Sequence, residues 1–294
     1  MSDPVETESG SALPLTTAAP GVLLFPEAFE LIIDGLRREI DKFAADEPMR
    51  VLGIPPVIAR STIELTGYAA SFPHLLGTVH RFSGDAAQWS KLSPLVEGGG
   101  EWQSAHQPSD LVLLPAACYP VYVSLAGQPL DEPRTFHVSA NCFRQEASSE
   151  TGRLRSFRMV ELVTAGDAEH CERWRDRRLE QAADWLGSLD LKVSVETADD
   201  PFFGAGRRLY QAAQRKQQLK FELCAAVDDG LVQAIGSANC HKDHFGDTFG
   251  FTADGAPGHT ACVAFGLERI ALALIHAHGP DPARWPARLA AAFG

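Results

Sequence analysis

The sequence predicts an α+β fold, a mainly antiparallel sheet flanked by helices, and three observations carry that expectation. Strand-type alternation dominates from Leu111 onward. The helical stretches between those strands follow no regular βαβ order. Ahead of them, Phe25, Phe29, Ile32, Leu36, Ile40 and Phe43 form one amphipathic stripe with charges on the opposite face.

Residues 1–20 are rich in Ser, Thr, Ala and Pro, with acidic Asp3, Glu6 and Glu8, and read as a disordered tail. They have neither the cationic start and apolar stretch of a signal peptide nor the arginines of a transit peptide. Residues 21–294 read as one catalytic-size domain. The Phe25–Phe43 helix is followed by Arg50–Val57, a β-type run interrupted by Pro55 and Pro56 and so an edge or interface strand. The polar, glycine-rich 87–108 stretch reads as loops. Strands are then expected at Val121–Leu125, Thr135–Glu146 and Ser156–Thr164, the last two paired across a loop over 147–155. Asp167 is a good N-cap for a helix reaching about Leu186, with Cys171, Trp174, Leu179, Ala182 and Leu186 on one stripe. Leu191–Val195 reads as a strand and Phe203–Lys220 as a strongly basic helix, an insertion near 202–219. Strands at Leu231–Ile235 and Thr260–Phe265 and a helix at Leu267–His278 close the chain.

Composition narrows the function. The 294 residues carry 45% hydrophobic residues and a formal net charge of -12, with a pI of about 5.3. Nucleic-acid binders usually present a basic field instead. No apolar run is long enough to span a bilayer, so no membrane role is expected. Six scattered cysteines without a CxxC pair point to a reducing cytoplasm, and any metal site must be assembled from distant segments. There is no GxxxxGK[ST] loop, and Gly204-Ala205-Gly206 lacks both a third glycine and a preceding strand.

The chemistry concentrates in two places. Alternation along Phe143-Arg144-Gln145-Glu146 puts Arg144 and Glu146 on one face, and the returning strand adds Phe157, Met159 and Glu161. Such a face is costly as a core and suits the floor of a polar cleft, although an ordinary cross-strand ion pair would explain Arg144 and Glu146 as well. Near the C-terminus, Gly266-Leu267-Glu268-Arg269 opens the last helix directly after a strand, a good position for a phosphate.

These residues resemble class II aminoacyl-tRNA synthetases. Phe143-Arg144-Gln145-Glu146, the loop and Phe157 to Glu161 look like motif 2, and Gly266-Leu267-Glu268-Arg269 like motif 3. The early helix and the strand ending in Pro55-Pro56 look like motif 1, which implies a homodimer. Lys220-Phe221-Glu222-Leu223 and Ser237-Ala238-Asn239-Cys240 are similar to the seryl enzymes. The resemblance implies that Arg144 holds the α-phosphate of ATP and that Phe157 and Arg269 sandwich the adenine. Arg153 would reach the γ-phosphate, Glu146 would contact the adenine amino group or order the loop, and Leu154 and Lys220 would complete the ATP site. It further implies that Cys118, Glu161 and Cys262 hold a zinc ion that binds the substrate α-amino group, as in atypical seryl enzymes; buried packing cysteines are the alternative. Cys142, Cys171, Cys224 and Cys240 read as packing residues, and His241 and His244 as polar loop residues. Mg²⁺ should arrive with ATP, yet Gln233 and Gly236 stand where seryl enzymes place magnesium-binding Glu and Ser. Small Ala234, Gly236 and Ser237 would line a cramped pocket suited to glycine or alanine.

The sequence enters motif 1 soon after the tail, without the helical arm that seryl enzymes use to grip tRNA. With the acidic charge, this makes tRNA a poor acceptor. The arrangement resembles the amino acid:carrier protein ligases, truncated seryl-like homologues that load small amino acids onto a phosphopantetheine thiol. A helix bearing Arg207, Arg208, Arg215, Lys216 and Lys220 would suit docking of an acidic acyl or peptidyl carrier protein, or be a solvated face. A tRNA-charging enzyme with a separate tRNA-binding partner and a non-catalytic regulator are the competing functions.

Overall fold

In the computed structural model, which describes residues 11–146 and 150–293, seven strands build the central sheet. They are β1 (Arg50–Gly53), β2 (Arg134–Phe143), β3 (Ser156–Gly166), β4 (Ser194–Thr197), β5 (Lys220–Asp228), β6 (Leu231–Lys242) and β7 (His259–Gly266). Their spatial order is β4-β5-β6-β7-β3-β2-β1, and β1 with β2 is the one parallel pair. The expected sheet is thus mainly antiparallel, with a mixed edge.

Five helices of ten residues or more accompany it: α1 (Glu27–Ala44), α2 (Ala86–Glu97), α3 (Ala168–Ser188), α4 (Arg207–Lys216) and α5 (Leu267–His278). Alternation on β3 divides the interior in two. Val160 and Leu162 pack with Phe29, Ile32 and Leu36 of α1, Trp174 of α3 and Ile270 of α5. Val163 and Ala165 face the other way, toward Tyr122, Phe245 and Phe251. Helices α1, α3 and α5 therefore seal one face of the sheet, and loops and short helices arch over the other, where the cavity forms.

Several expectations need correction. Val121–Leu125 lies in a helix, Tyr119–Ser124, with Pro120 in its first turn, where a missing N–H costs nothing. The 87–108 stretch holds α2, started by a capping box. There the Asp85 carboxylate accepts from the Gln88 N–H at 2.9 Å, and the Asp85 N–H donates to Gln88 Oε1 at 2.8 Å. It also runs into His106–Leu113, the middle strand of a small antiparallel sheet with Val57–Ala59 and Thr78–Phe82. The strand expected over Leu191–Val195 forms at β4, and that over Leu231–Ile235 runs on to Lys242. The basic helix is only Arg207–Lys216, leaving Lys220 on β5.

Of the expected tail, residues 1–10 lie outside the described part, but residues 11–20 are ordered. Ala12 is buried with its N–H donating to Pro280 O at 2.7 Å, and Leu15–Thr16 pairs with Leu23–Leu24. Among the described residues no helix is long and apolar enough to cross a membrane.

Candidate active site

A cavity of about 460 Å³ opens over β3, β5, β6 and β7. Phe157, Met159 and Glu161 of β3 line it together, as alternation requires. Tyr68, Phe72, Asp200 and Phe202 form its outer wall.

One end gathers arginines. β2 ends at Phe143, so Arg144 and Glu146 lie just beyond the strand, yet both line the cavity. Arg144 is tied down by its N–H to Arg155 O at 2.9 Å and its Nε–H to Pro115 O at 3.1 Å, and its guanidinium lies 5.5 Å from the Phe157 ring centroid. The cross-strand ion pair with Glu146 does not form. Arg153 instead reaches Glu150 at 2.9 Å and Glu146 at 3.6 Å. Arg269, at the head of α5, donates to Gly152 O at 2.9 Å and Ala234 O at 3.0 Å. Burial, and then the neighbouring Arg153 and Arg144, hold its pKa below the usual arginine value. Arg144 and Arg269 line the cavity with Arg153 close by, and mutually repelling cations gathered there favour a polyanion.

Leu154 is buried and lines the same cavity. Lys220 does too, its ammonium paired with Asp200 at 2.7 Å and Glu222 at 3.1 Å. Residues 147–149 of the expected loop lie outside the described part. Gln233 ties the rest of that loop to β6, donating from Nε2 to Glu150 at 2.7 Å and Thr151 O at 2.8 Å.

The other end holds Cys118, Glu161 and Cys262, whose ligand atoms all lie within 4.8 Å of one another. Cys118 caps the helix Tyr119–Ser124, Glu161 sits at mid-β3, and Cys262 is its diagonal neighbour on β7, where Ala264 opposes Glu161 directly. The turn carrying Cys118 is anchored by the Ala117 N–H, which donates to Glu161 at 2.7 Å. The Cys118 thiol donates to the Cys262 sulfur, which pulls the Cys262 pKa down and, with burial, pushes that of Cys118 up. Burial, and then the Cys262 sulfur, push Glu161 up to about 7. Three acidic groups this close and this buried are costly unless a cation joins them. Two thiolates and a carboxylate suit tetrahedral Zn²⁺ with the fourth position facing the cavity.

Ala234, Gly236 and Ser237 line the cavity as expected. Gly236 also has a packing reason, since a Cβ there would lie 3.1 Å from Ala264 O. On α4, Arg207, Arg208 and Lys216 make no ion pair among the described residues, whereas Arg215 pairs with Asp199. His241 is not a loop residue: it lies on β6 with its ring in the cavity, 3.8 Å from Cys262 Sγ. Sequence reasoning also passed over Tyr122, Asp200 and the chemical role of Asn239. Extending β6 by simple alternation would have put Ser237, Asn239 and His241 on one face.

No protein-family model matches the chain. It is 40% identical over 275 residues to "Amino acid--[acyl-carrier-protein] ligase 1" of Bradyrhizobium diazoefficiens, covering 92% of this chain and 83% of that protein. To ligase 2 of the same organism it is 39% identical over 272 residues, covering 91% and 81%. A type-2 serine–tRNA ligase of Methanopyrus kandleri matches more distantly, at 29% over 191 residues, covering 60% of this chain and 36% of that protein. In fold, the chain superposes on the M. kandleri seryl-tRNA synthetase solved with A. aeolicus tRNASec, with a TM-score of 0.80 and 21% identity, covering 95% of this chain and 57% of that one.

Proposed function

The chain belongs to the amino acid–carrier protein ligase family, and we propose that it activates glycine or alanine with ATP and transfers it to the phosphopantetheine thiol of a carrier protein. The observation that carries this reading is the union, in one cavity, of an arginine-rich end and a thiol–carboxylate end.

In the first step a carboxylate oxygen of the amino acid attacks the α-phosphorus of ATP, and the bond to pyrophosphate breaks. Arg144 lines the cavity, held by Pro115 O and Phe157, so in this reading it meets the charge that develops on the α-phosphate without first reorganising. Phe157 and Arg269 flank the adenine, Arg153 reaches the terminal phosphates, and Glu146, Leu154 and Lys220 complete the ATP site. Magnesium enters with the nucleotide. A zinc ion held by Cys118, Glu161 and Cys262 would supply a Lewis-acid position for the neutral α-amine. Beside that position, Tyr122 and Phe245 stack at 3.9 Å and Tyr119 crosses Phe245 at 5.9 Å. This aromatic wall, with Ala234, Gly236 and Ser237, supports a side chain no larger than a methyl group. In the second step the thiol sulfur attacks the activated carbonyl, losing its proton as the bond to AMP breaks.

The carrier docks on α4 in this reading. Arg207 and Arg208 stand beside Leu209, 74% exposed, and Tyr210, 59% exposed, a basic rim around an apolar centre that suits an acidic partner. A second copy would meet the sheet's outer strand β1, where Val51 is exposed. The test is ATP–pyrophosphate exchange with each amino acid, followed by transfer to holo carrier protein and to tRNA. Exchange driven best by a bulky amino acid, or charging of tRNA without label on any holo carrier, would overturn the reading.

A further inference from the structure

Two ligating groups of the thiol–carboxylate cluster, Glu161 and Cys262, have hydrogen-bond donors of their own. Glu161 has the Ala117 N–H. Cys262 has two neighbours on β6: the Asn239 amide donates to Sγ at 3.4 Å, and His241 Nε2 lies 3.8 Å from the same atom.

These donors are themselves held in place. Asn239, directly opposite Cys262 across β6 and β7, also donates to Ser237 Oγ at 3.2 Å. The far ring nitrogen of His241, Nδ1, lies 3.0 Å from the buried Thr260 hydroxyl and 3.4 Å from that of Tyr122. A hydroxyl proton given to Nδ1 leaves the ring proton on Nε2, aimed at the sulfur. Holding a half-buried imidazole and amide against a thiol is costly unless those contacts matter, and an apolar residue would fill either place at lower cost.

We propose that Asn239 and His241 are positioning residues that set how strongly the Cys262 sulfur donates to the bound ion. The inference rests on the metal reading above. Two thiolates and a carboxylate bring three negative charges to a divalent ion, which weakens its hold on a neutral amine. Hydrogen bonds donated to sulfur draw electron density back and keep the ion electrophilic, and they also fix the ligand rotamers.

Cobalt in place of the native ion reads this directly, through the sulfur-to-metal charge-transfer band of the full chain. His241→Phe and Asn239→Leu should each move that band to lower energy, because a sulfur without its donor releases charge more easily. His241→Gln, which keeps an N–H within reach, should hold the band near its wild-type position. In pyrophosphate exchange the KM for the amino acid should rise about tenfold or more in His241→Phe, with the KM for ATP unchanged. If His241→Phe does not fold, Asn239→Leu and His241→Gln carry the same comparison. Bands that stay in place in His241→Phe and Asn239→Leu of a cobalt-binding chain overturn this inference alone. A wild-type chain with no such band, unchanged by Cys118→Ser, overturns the metal reading and this inference with it.

Discussion

Arg269 Nε donates to the Gly152 carbonyl at 2.9 Å, so the head of α5 holds the loop between β2 and β3 over the arginine-rich end of the cavity. Gly152 is suited to this by a φ of +79°, and a Cβ there would come within 2.4 Å of Gln233 Oε1. Gly152→Ala should therefore incur a left-handed backbone cost of about 1–2 kcal/mol and displace Gln233 from its bonds to the loop. A several-fold rise in the KM for ATP in pyrophosphate exchange is expected. An unchanged KM would mean that the loop's position does not govern ATP binding.

Arg144→Ala and Arg269→Ala should each lower the rate of adenylate formation by about a hundredfold or more, since each removes a preorganised cation from a desolvated site. The two should differ in character. Arg269 also anchors Gly152 and Ala234, so its loss disturbs ATP binding as well as turnover. Arg144 is the residue proposed to meet the charge developing at the α-phosphorus, so its loss should fall mainly on kcat. Near-normal exchange in either variant would remove these residues from the proposed ATP site.

That both arginines would line one cleft was legible in the sequence because each sits next to a strand end with a distinctive neighbour pattern, Phe143 before Arg144 and Gly266 before Leu267 and Arg269. Cys118, Glu161 and Cys262 required the family resemblance, because no local spacing joins three segments that meet only when β3, β7 and the 115–118 turn pack together. The His241 ring is legible only if strand alternation is carried past the apolar part of β6. Hydrophobicity does not mark that polar end as strand, and β6 shifts register there, between Cys240 and Lys242. Tyr122 was hidden similarly, since Tyr119–Ser124 has the β-branched content of a strand and becomes helical in its tertiary setting. Lys220 was assigned both to the ATP site and to the basic helix, and the end of α4 at Lys216 separates the two roles.

Metal content comes next. The purified protein should hold about one zinc per chain, measured by elemental analysis, and lose it in Cys118→Ser or Cys262→Ser. N-acetylated amino acids should fail to drive pyrophosphate exchange with the fully loaded wild type, because acetylation removes the amine's lone pair from use. Full zinc in both cysteine variants would place the ion elsewhere.

The acceptor is tested through α4, whose exposed cations are not all equivalent. Arg215 is already engaged by Asp199, so reversing it would disturb the turn that also carries Asp200 and, through it, Lys220. Arg207, Arg208 and Lys216 make no ion pair among the described residues and are the better probes. The double change Arg207→Glu and Arg208→Glu should slow transfer to holo carrier protein while leaving pyrophosphate exchange intact. Rim charges act mainly on encounter rate, so wild-type transfer should fall as salt rises and the double variant should respond less. Leu209→Ser tests the apolar centre separately. Its effect should persist at high salt, because burial of an apolar side chain is not screened. The two readouts together distinguish docking on α4 from a solvated helix face: a transfer rate indifferent to both changes would assign the carrier to another surface.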